Sequence, residues 1–280
     1  MICRAASKRD TQSAPKPEVH ASISFAPSAR QESALQGEVS RREEPKILFL
    51  CRCVPRHRSH SRWLVMIATW AKAATPEVAA VRLWVERVVI GLALCPWARP
   101  VHTERSALRF AQTGATGTEG LLCSTLQEMD LLSFPDSRHE STMLVAPLAF
   151  TDDFIAFNDF VNDVEDMLRD ERRDEEFQLI GFHPQFLFAD ADEDDAANYV
   201  NRSPHPVLHL LRQDDVTAAV DAHPDSLSIS SVNQKLLRSM GGSRLKQLVS
   251  AARSDGCKEA RRASDSAASN GGGCPLHVST

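Results

Sequence analysis

Apolar positions in the middle of the chain recur with two periods, one typical of helices and one of buried strands. The first helix begins at Thr75-Pro76-Glu77, which supplies a capping hydroxyl, a proline in the first turn and an acid near the positive helix end. Apolar side chains then recur at helical spacing as far as Leu92. The helix is predicted to end at Cys95, because Pro96 disfavours a helical conformation in the residue before it.

Four strands and four further helices are predicted after this helix. The strands are expected at residues 107–112, 143–147, 177–182 and 207–211. The helices are expected around 122–129, from the capping residues 151–153 to 168, at 214–222, and from Ser230 or Ser231 to 240. This order predicts an α/β (α+β) fold, in which a single domain over residues 75–242 packs helices on a mixed sheet of about four strands.

The two ends of the chain differ from this domain in composition. Residues 1–74 are rich in Arg, Ser, Ala, Pro and Gln and show no sustained period, which predicts a disordered basic extension. Such an extension suits a transit peptide, or a tail translated from an upstream start with Met66 as an alternative beginning. Residues 243–280 are mainly Ser, Ala, Gly and Arg, which predicts a disordered tail. A metal-binding knuckle is an alternative for four residues of the extension, although their first spacing is short: Cys51, Cys53, His57 and His60.

The net charge of the predicted domain restricts the classes of partner that it can bind. Residues 75–240 carry 28 Asp and Glu against 13 Lys and Arg, whereas residues 1–74 carry 6 against 13. An acidic domain repels phosphate, so no nucleic-acid partner is expected and an anionic ligand would need local arginines. No apolar run has membrane-spanning length, so no membrane partner is expected. Seven cysteines without framework spacing favour a reduced, intracellular location, cytoplasmic or, with a transit peptide, organellar.

One polar segment, Gly181 to Leu211, lies across the last two predicted strands and concentrates the reactive side chains. It contains FHPQFLFAD (182–190), an acidic run and NYVNRSPHPVLHLLR (198–212). With VERVVIGLALCPWA (85–98), VDAHPD (220–225) and SSVNQKLLRSMG (230–241), it resembles the family known as domain of unknown function 1415, over roughly Pro76 to Gly241. The resemblance implies these domain boundaries and implies no reaction. Two positions depart from the family pattern: Ala93, where Asn is usual, and His205, where an aromatic residue is usual.

The block around Arg202 is the strongest candidate for ligand binding. Its guanidinium offers a planar, bidentate donor set for a carboxylate or phosphate of a small-molecule substrate. The further predicted substrate-binding residues are Asn198, Tyr199, Asn201 and Ser203. The alternative is internal: Arg202 would pair with Asp190, Asp192 or Asp195 and fix the loop, while the asparagines satisfy backbone groups of a turn.

Two histidines and one cysteine are the candidates for catalysis. His183 and His223 precede prolines, which hold their backbone extended and direct the imidazole, so both are candidate acid-base residues. A zinc or iron site made of these histidines and Asp190 or Asp192 is an alternative. Cys95 is a candidate nucleophile. However, the C-terminal end of a helix, where Cys95 is expected, raises the pKa of a thiol, so a small buried side chain is its alternative.

These residues lead to three functional hypotheses. The preferred one is an enzyme acting on a small anionic or polar metabolite, in which Arg202 holds the anion, the flanking asparagines orient it, and His183 is the general acid or base, assisted by His223 or Cys95. The second is a non-catalytic module that binds a metabolite or a protein. The third is a metal-dependent protein with histidine ligands. No nucleotide-binding or nucleophile-elbow motif occurs, so substrate, reaction, cofactor and oligomeric state stay open.

Overall fold

The computed structural model of the protein describes residues 75–134 and 137–270. Ten principal elements follow one another: α1 Pro76–Trp84, β1 Leu108–Gln112, α2 Thr118–Leu132, β2 Ser141–Val145, α3 Phe154–Asp170, β3 Phe177–Phe182, β4 Val207–Arg212, α4 Gln213–Ala222, α5 Ile229–Met240 and α6 Gly242–Asn270. Shorter π-helical and 3-10 turns are Val85–Ile90, Pro100–Glu104, Arg173–Glu175, Ala196–Val200 and Ser226–Ser228. The predicted extension over 1–74, with its transit peptide and knuckle alternatives, lies outside the described residues, as do residues 271–280.

The four strands form one mixed sheet in the order β1-β2-β4-β3, which confirms the predicted fold class. Strands β1 and β2 are parallel, and β4 runs antiparallel to both of its neighbours, β2 and β3. Alternate side chains of each strand enter different cores. Met143, Phe182 and Val207 pack with α1 and α6 on one face, while Leu144 and Leu208 pack with α2 and α3 on the other. Strand β3 is therefore left at one edge of the described sheet.

Helix α1 begins as predicted and ends earlier than predicted. The Thr75 hydroxyl accepts a hydrogen bond from the Val78 N–H, and Pro76 follows as the first helical residue. The α-helix gives way to the π-helical turn Val85–Ile90, and Ala93 then has a left-handed φ of 53°. Left-handed backbone is costly for alanine and tolerated by asparagine. The family's usual Asn at this position therefore suits the turn better than Ala93 does.

The prediction of a disordered tail from residue 243 is wrong for residues 243–270, because these residues belong to helix α6. Gly241, with a φ of 81°, ends α5, and α6 then packs along α1. Gly256 allows the close approach, since a Cβ there would lie 2.4 Å from the Ala80 backbone nitrogen. The two helices thus meet through small residues, and α6 extends the folded domain beyond the predicted boundary at 242.

The loop between β3 and β4, residues 183–206, carries most of the polar segment and is called here the β3–β4 loop. Its turn Ala196–Val200 is fully buried and packs against α5. Among the described residues no helix combines the length and apolar character needed to cross a membrane.

Candidate functional site

His183, the first residue of the β3–β4 loop, is fully buried and uses both ring nitrogens. Its Nε2 lies 2.7 Å from the Phe150 carbonyl oxygen, and its Nδ1 accepts from the Gln185 N–H at 3.1 Å. These two bonds place the proton on Nε2. Burial lowers the pKa of His183, with the Phe150 bond opposing that effect. His183 is thus a neutral donor that holds Phe150, whose φ is 54°.

Asn198 is also fully buried and joins two parts of the same loop. Its Oδ1 accepts from the Phe188 N–H at 3.1 Å, and its Nδ2 donates to the Asp192 carbonyl at 2.9 Å. A buried amide without hydrogen-bond partners is costly, so the loop conformation depends on these two hydrogen bonds of Asn198.

Arg202 spans the loop in the same manner. Its Nε donates to the Phe186 carbonyl at 2.9 Å, its Nη2 donates to the Glu193 carbonyl at 2.8 Å, and its Cζ lies 5.0 Å from the Tyr199 ring centroid. The sequence alternative of internal pairing named carboxylates as partners, whereas the partners are backbone carbonyls. The predicted anion clamp therefore has two of its donor groups engaged within the protein.

Two further predicted residues also bond within the loop. The Ser203 hydroxyl donates to the His205 carbonyl, and Ser203 is fully buried. Asp195 accepts from the Ala197 N–H and from both Nε and Nη2 of Arg238 on α5, which together lower the pKa of its carboxyl. The loop is consequently pinned both to itself and to α5.

Of the other two predicted catalytic residues, His223 packs against Trp97, which follows Cys95 by two positions. The His223 ring centroid is 5.7 Å from that of Trp97, and its Nδ1 accepts from the Asp225 N–H. Asn233, which the sequence reasoning missed, is buried and donates to the Leu94 carbonyl at 2.7 Å. The structure therefore joins α5 to the turn before Cys95.

Cys95 precedes a second helical turn, at residues 98–104, instead of closing the first helix. Cys95 therefore does not lie at the C-terminal helix end that was expected to raise the pKa of its thiol. Burial raises the pKa of the Cys95 thiol and outweighs the backbone N–H groups of Trp97 and Ala98, which lower it. Its role as a nucleophile stays a prediction.

Two further histidines of the polar segment are buried, and their lowered pKa values favour the neutral form. Burial lowers the pKa of His205 to about 4 and that of His209 to about 3. Neither ring nitrogen of His209 has a hydrogen-bond partner among the described residues. In the described part of the chain, no group of three or more His, Cys, Asp or Glu side chains is arranged to hold a metal ion, and this includes the predicted set of His183, His223 and Asp190 or Asp192.

A groove runs beside β3 and has a volume of about 110 Å³. It is lined by Phe154, Phe157, Asn158, Val161, Asn162 and Glu165 of α3, by Gln178, Leu179, Ile180 and Gly181 of β3, and by Phe186, Phe188 and Asn201 of the β3–β4 loop. A Cβ on Gly181 would lie 3.0 Å from the Phe157 ring, so glycine permits the close packing of α3 on β3. Pockets for drug-sized ligands have volumes of about 300–1,000 Å³. This groove suits a side chain or a stretch of backbone better.

Two buried amide oxygens in this groove have no hydrogen-bond partner among the described residues: Oε1 of Gln178 and Oδ1 of Asn201. The Asn201 side chain is only 8% exposed. Buried polar atoms without partners are uncommon and costly, because they lose water without gaining a replacement. A bound group that brought an N–H to either oxygen would remove this cost.

The backbone of β3 adds groups along the same groove that have no partner within residues 75–134 and 137–270. The Gln213 N–H donates to the Glu176 carbonyl, so Glu176 and, by the alternation of an antiparallel ladder, Gln178 and Ile180 direct their backbone groups toward β4. Leu179 and Gly181 must then direct theirs to the free edge. The next such group, the His183 N–H, donates to the Asn201 carbonyl at 3.1 Å, so the loop covers only the far end of this edge.

The sequence reasoning named Asn201 but missed Gln178 and the α3 side of the groove. One signal was available, since Asn158, Asn162 and Glu165 follow one another at helical spacing beside the apolar face of α3. The free edge of β3 had no such signal, because strand order does not follow from the pattern of a single strand.

The fold and the groove together define an α/β domain with a four-stranded mixed sheet, helices on both faces and an open edge at β3. The profile of a family described as "Protein of unknown function (DUF1415)" matches residues 77–247, and the chain belongs to this family. The match confirms the resemblance seen in the sequence and reaches past Gly241 into the first turns of α6. No curated protein and no solved structure matched the chain.

Proposed function

We propose that this protein is a non-catalytic binding module that holds an extended peptide segment in the groove, as an added strand beside β3. One observation carries the proposal: among the described residues, the buried oxygens of Gln178 and Asn201 lack partners, and both residues line a groove beside an edge strand. An extended peptide supplies backbone N–H groups to such oxygens and pairs with the strand at the same time.

The free edge of β3 supplies the second part of the recognition. An open edge presents a row of N–H and C=O groups that pair readily with another chain. Here the Asn201 carbonyl already occupies the position of an added strand opposite the His183 N–H. A peptide that continued from this point would meet the outward groups of Gly181 and Leu179 in turn.

The enzyme hypothesis draws less support from the same geometry. A general acid or base needs a ring nitrogen free for the substrate, and both nitrogens of His183 are engaged within the protein. Two donor groups of Arg202 are likewise engaged. These residues serve the proposed function by holding the loop that carries Asn201.

Hydrogen exchange of backbone amides, followed by NMR on the full chain, tests the proposal. The probe is a synthetic nine-residue peptide in which valine alternates with lysine, added up to millimolar concentration. We expect the Leu179 and Gly181 amides to gain protection, because strand pairing engages both groups. Protection elsewhere without protection at these two amides contradicts the proposal.

Two matched comparisons sharpen this test. Peptides N-methylated either at every valine or at every lysine should behave differently, because only one set of N–H groups faces β3 in an added strand. Gln178→Ala and Asn201→Ala should each weaken binding about threefold to tenfold, since each removes one acceptor. Gln185→Ala is the control, because Gln185 is exposed and does not line the groove. Equal binding of both N-methylated peptides argues against backbone pairing.

A further inference from the structure

The acidic charge of the domain is concentrated on the elements that form the groove. Residues 151–200, which contain α3, β3 and most of the β3–β4 loop, carry sixteen Asp and Glu against three Arg and no Lys. The three arginines lie at 169, 172 and 173, near the end of α3 and the turn after it. The elements that form the groove therefore carry mainly negative charge, and Glu165 is the charged residue among those that line it.

On α3, three exposed acids recur at helical spacing, each one residue after a residue that lines the groove. Asp159, Asp163 and Asp166 are exposed, and only Asp166 pairs with a basic side chain, Arg169, within the described residues. The pKa of Asp163 is raised by partial burial and by the charges of Asp159 and Asp166. A cation placed beside these three acids would relieve that repulsion.

On the loop side, four exposed acids follow Phe188: Asp190, Asp192, Glu193 and Asp194. Arg202 lies close to them but directs its Nη2 to the Glu193 carbonyl. Arg238 is bound to Asp195. The exposed carboxylates at this end consequently form no ion pair among the described residues.

We infer that the occupant of the groove is a basic extended segment, whose lysine or arginine side chains reach the acids of α3 and those at residues 190–194. The inference rests on the binding function proposed above and adds the chemistry of the partner. Successive side chains of an added strand point to opposite faces. A partner with basic residues at successive positions therefore presents cations on both faces, whereas one with basic residues at alternate positions presents them all on one face. An acidic segment of the same shape is repelled from both acidic groups.

Binding of matched peptides to the full chain tests the inference. The probes are the valine–lysine peptide and a counterpart with glutamate at each lysine position, compared at 0.05 M and 0.5 M salt. We expect the lysine peptide to bind at least about tenfold more tightly at low salt, and the difference to shrink at high salt because the exposed charges are screened.

Charge-neutral variants then locate the interaction. Asp159→Asn combined with Asp163→Asn should weaken the lysine peptide about threefold to tenfold, while Asp221→Asn on α4, away from the groove, should leave it unchanged. Equal affinity for the lysine and glutamate peptides overturns the inference and leaves the binding function standing. Absence of protection at Leu179 and Gly181 with either peptide overturns the binding function itself.

Discussion

The β3–β4 loop and the groove beside β3 share one wall, yet their polar groups are in opposite states. In the loop, the side chains of His183, Asn198 and Arg202 form hydrogen bonds with neighbouring backbone groups. In the groove, Gln178 and Asn201 each have an amide oxygen without a partner in the part of the chain that the structure describes. The β3–β4 loop thus has more polar residues, but their hydrogen bonds are already made within the protein. The groove has fewer polar residues, and two of them still have an acceptor for a ligand.

This difference teaches that a concentration of polar residue types is not by itself a binding site. Buried polar side chains either hold an irregular backbone in place or are left to bind a ligand. The two roles are distinguished by whether the hydrogen bonds of each side chain are already made within the protein. Asn201 belongs to both regions, because its carbonyl bonds to β3 and the residue also lines the groove.

The largest expected effect comes from comparing two asparagines three residues apart. Asn198→Ala leaves the Phe188 N–H and the Asp192 carbonyl unpaired, so it should lower the free energy of unfolding by about 3 kcal/mol. Asn201→Ala removes an oxygen without a partner and should cost less than about 1 kcal/mol. Urea unfolding of both variants measures the difference, and equal losses would erase the distinction between loop and groove.

His209 tests whether an unpartnered group in a closed core behaves differently from one in an open groove. Its folded pKa is about 3, below the unfolded value near 6.5, so the stability linked to neutral His209 is complete above about pH 6.5 and is lost as pH falls toward 3. His209→Leu removes this linkage. At pH 4 the variant should gain about 3 kcal/mol over the original protein, relative to their difference at pH 7. Unfolding curves at the two pH values check it, and an unchanged difference contradicts it.

Arg202→Lys separates support of the loop from contact with a ligand. Lysine keeps the charge but cannot donate to the Phe186 and Glu193 carbonyls with the same planar group, nor stack in the same way on Tyr199. We expect a loss of about 1 kcal/mol in stability and less than a twofold change in peptide affinity. Lost binding with unchanged stability would restore the anion-clamp hypothesis.

The smallest expected effect comes from Ala93, which lies outside both regions. It measures how much stability is gained when backbone strain is removed. Ala93→Asn places a residue that tolerates left-handed φ where φ is 53°. We expect a gain of about 0.5–1 kcal/mol and no change in peptide binding. Thermal unfolding measures the gain. Ala222→Asn, at the exposed end of α4, is the control and should bring no gain.

Much of the fold follows from the sequence, because capping residues and apolar periods act locally. Thr75, Asp153 and the apolar face of α3 predict their elements closely. Helix α6 was missed because its contact with α1 relies on Ala252, Gly256 and Ala260, whose small side chains carry little hydrophobic signal. Its packing is visible only with both helices in place.

The candidate site was predicted in part, for a comparable reason. The sequence drew attention to the correct loop and to Asn201, but residue types do not show whether a hydrogen bond is already made. Nor does the pattern of β3 reveal that it lies at an edge, because that depends on β4 pairing between β2 and β3. Gln178 becomes a candidate binding residue only because β3 lies at an edge of the sheet, which the sequence of the strand does not show.

The most direct test of the central claim is an NMR map of backbone amides on addition of the valine–lysine peptide to the full chain. We predict that the largest changes in exchange occur at Leu179 and Gly181, with the amides of residues 198–203 changing less. Changes confined to residues 198–203, with Leu179 and Gly181 unaffected, would contradict the claim and place the binding site in the β3–β4 loop.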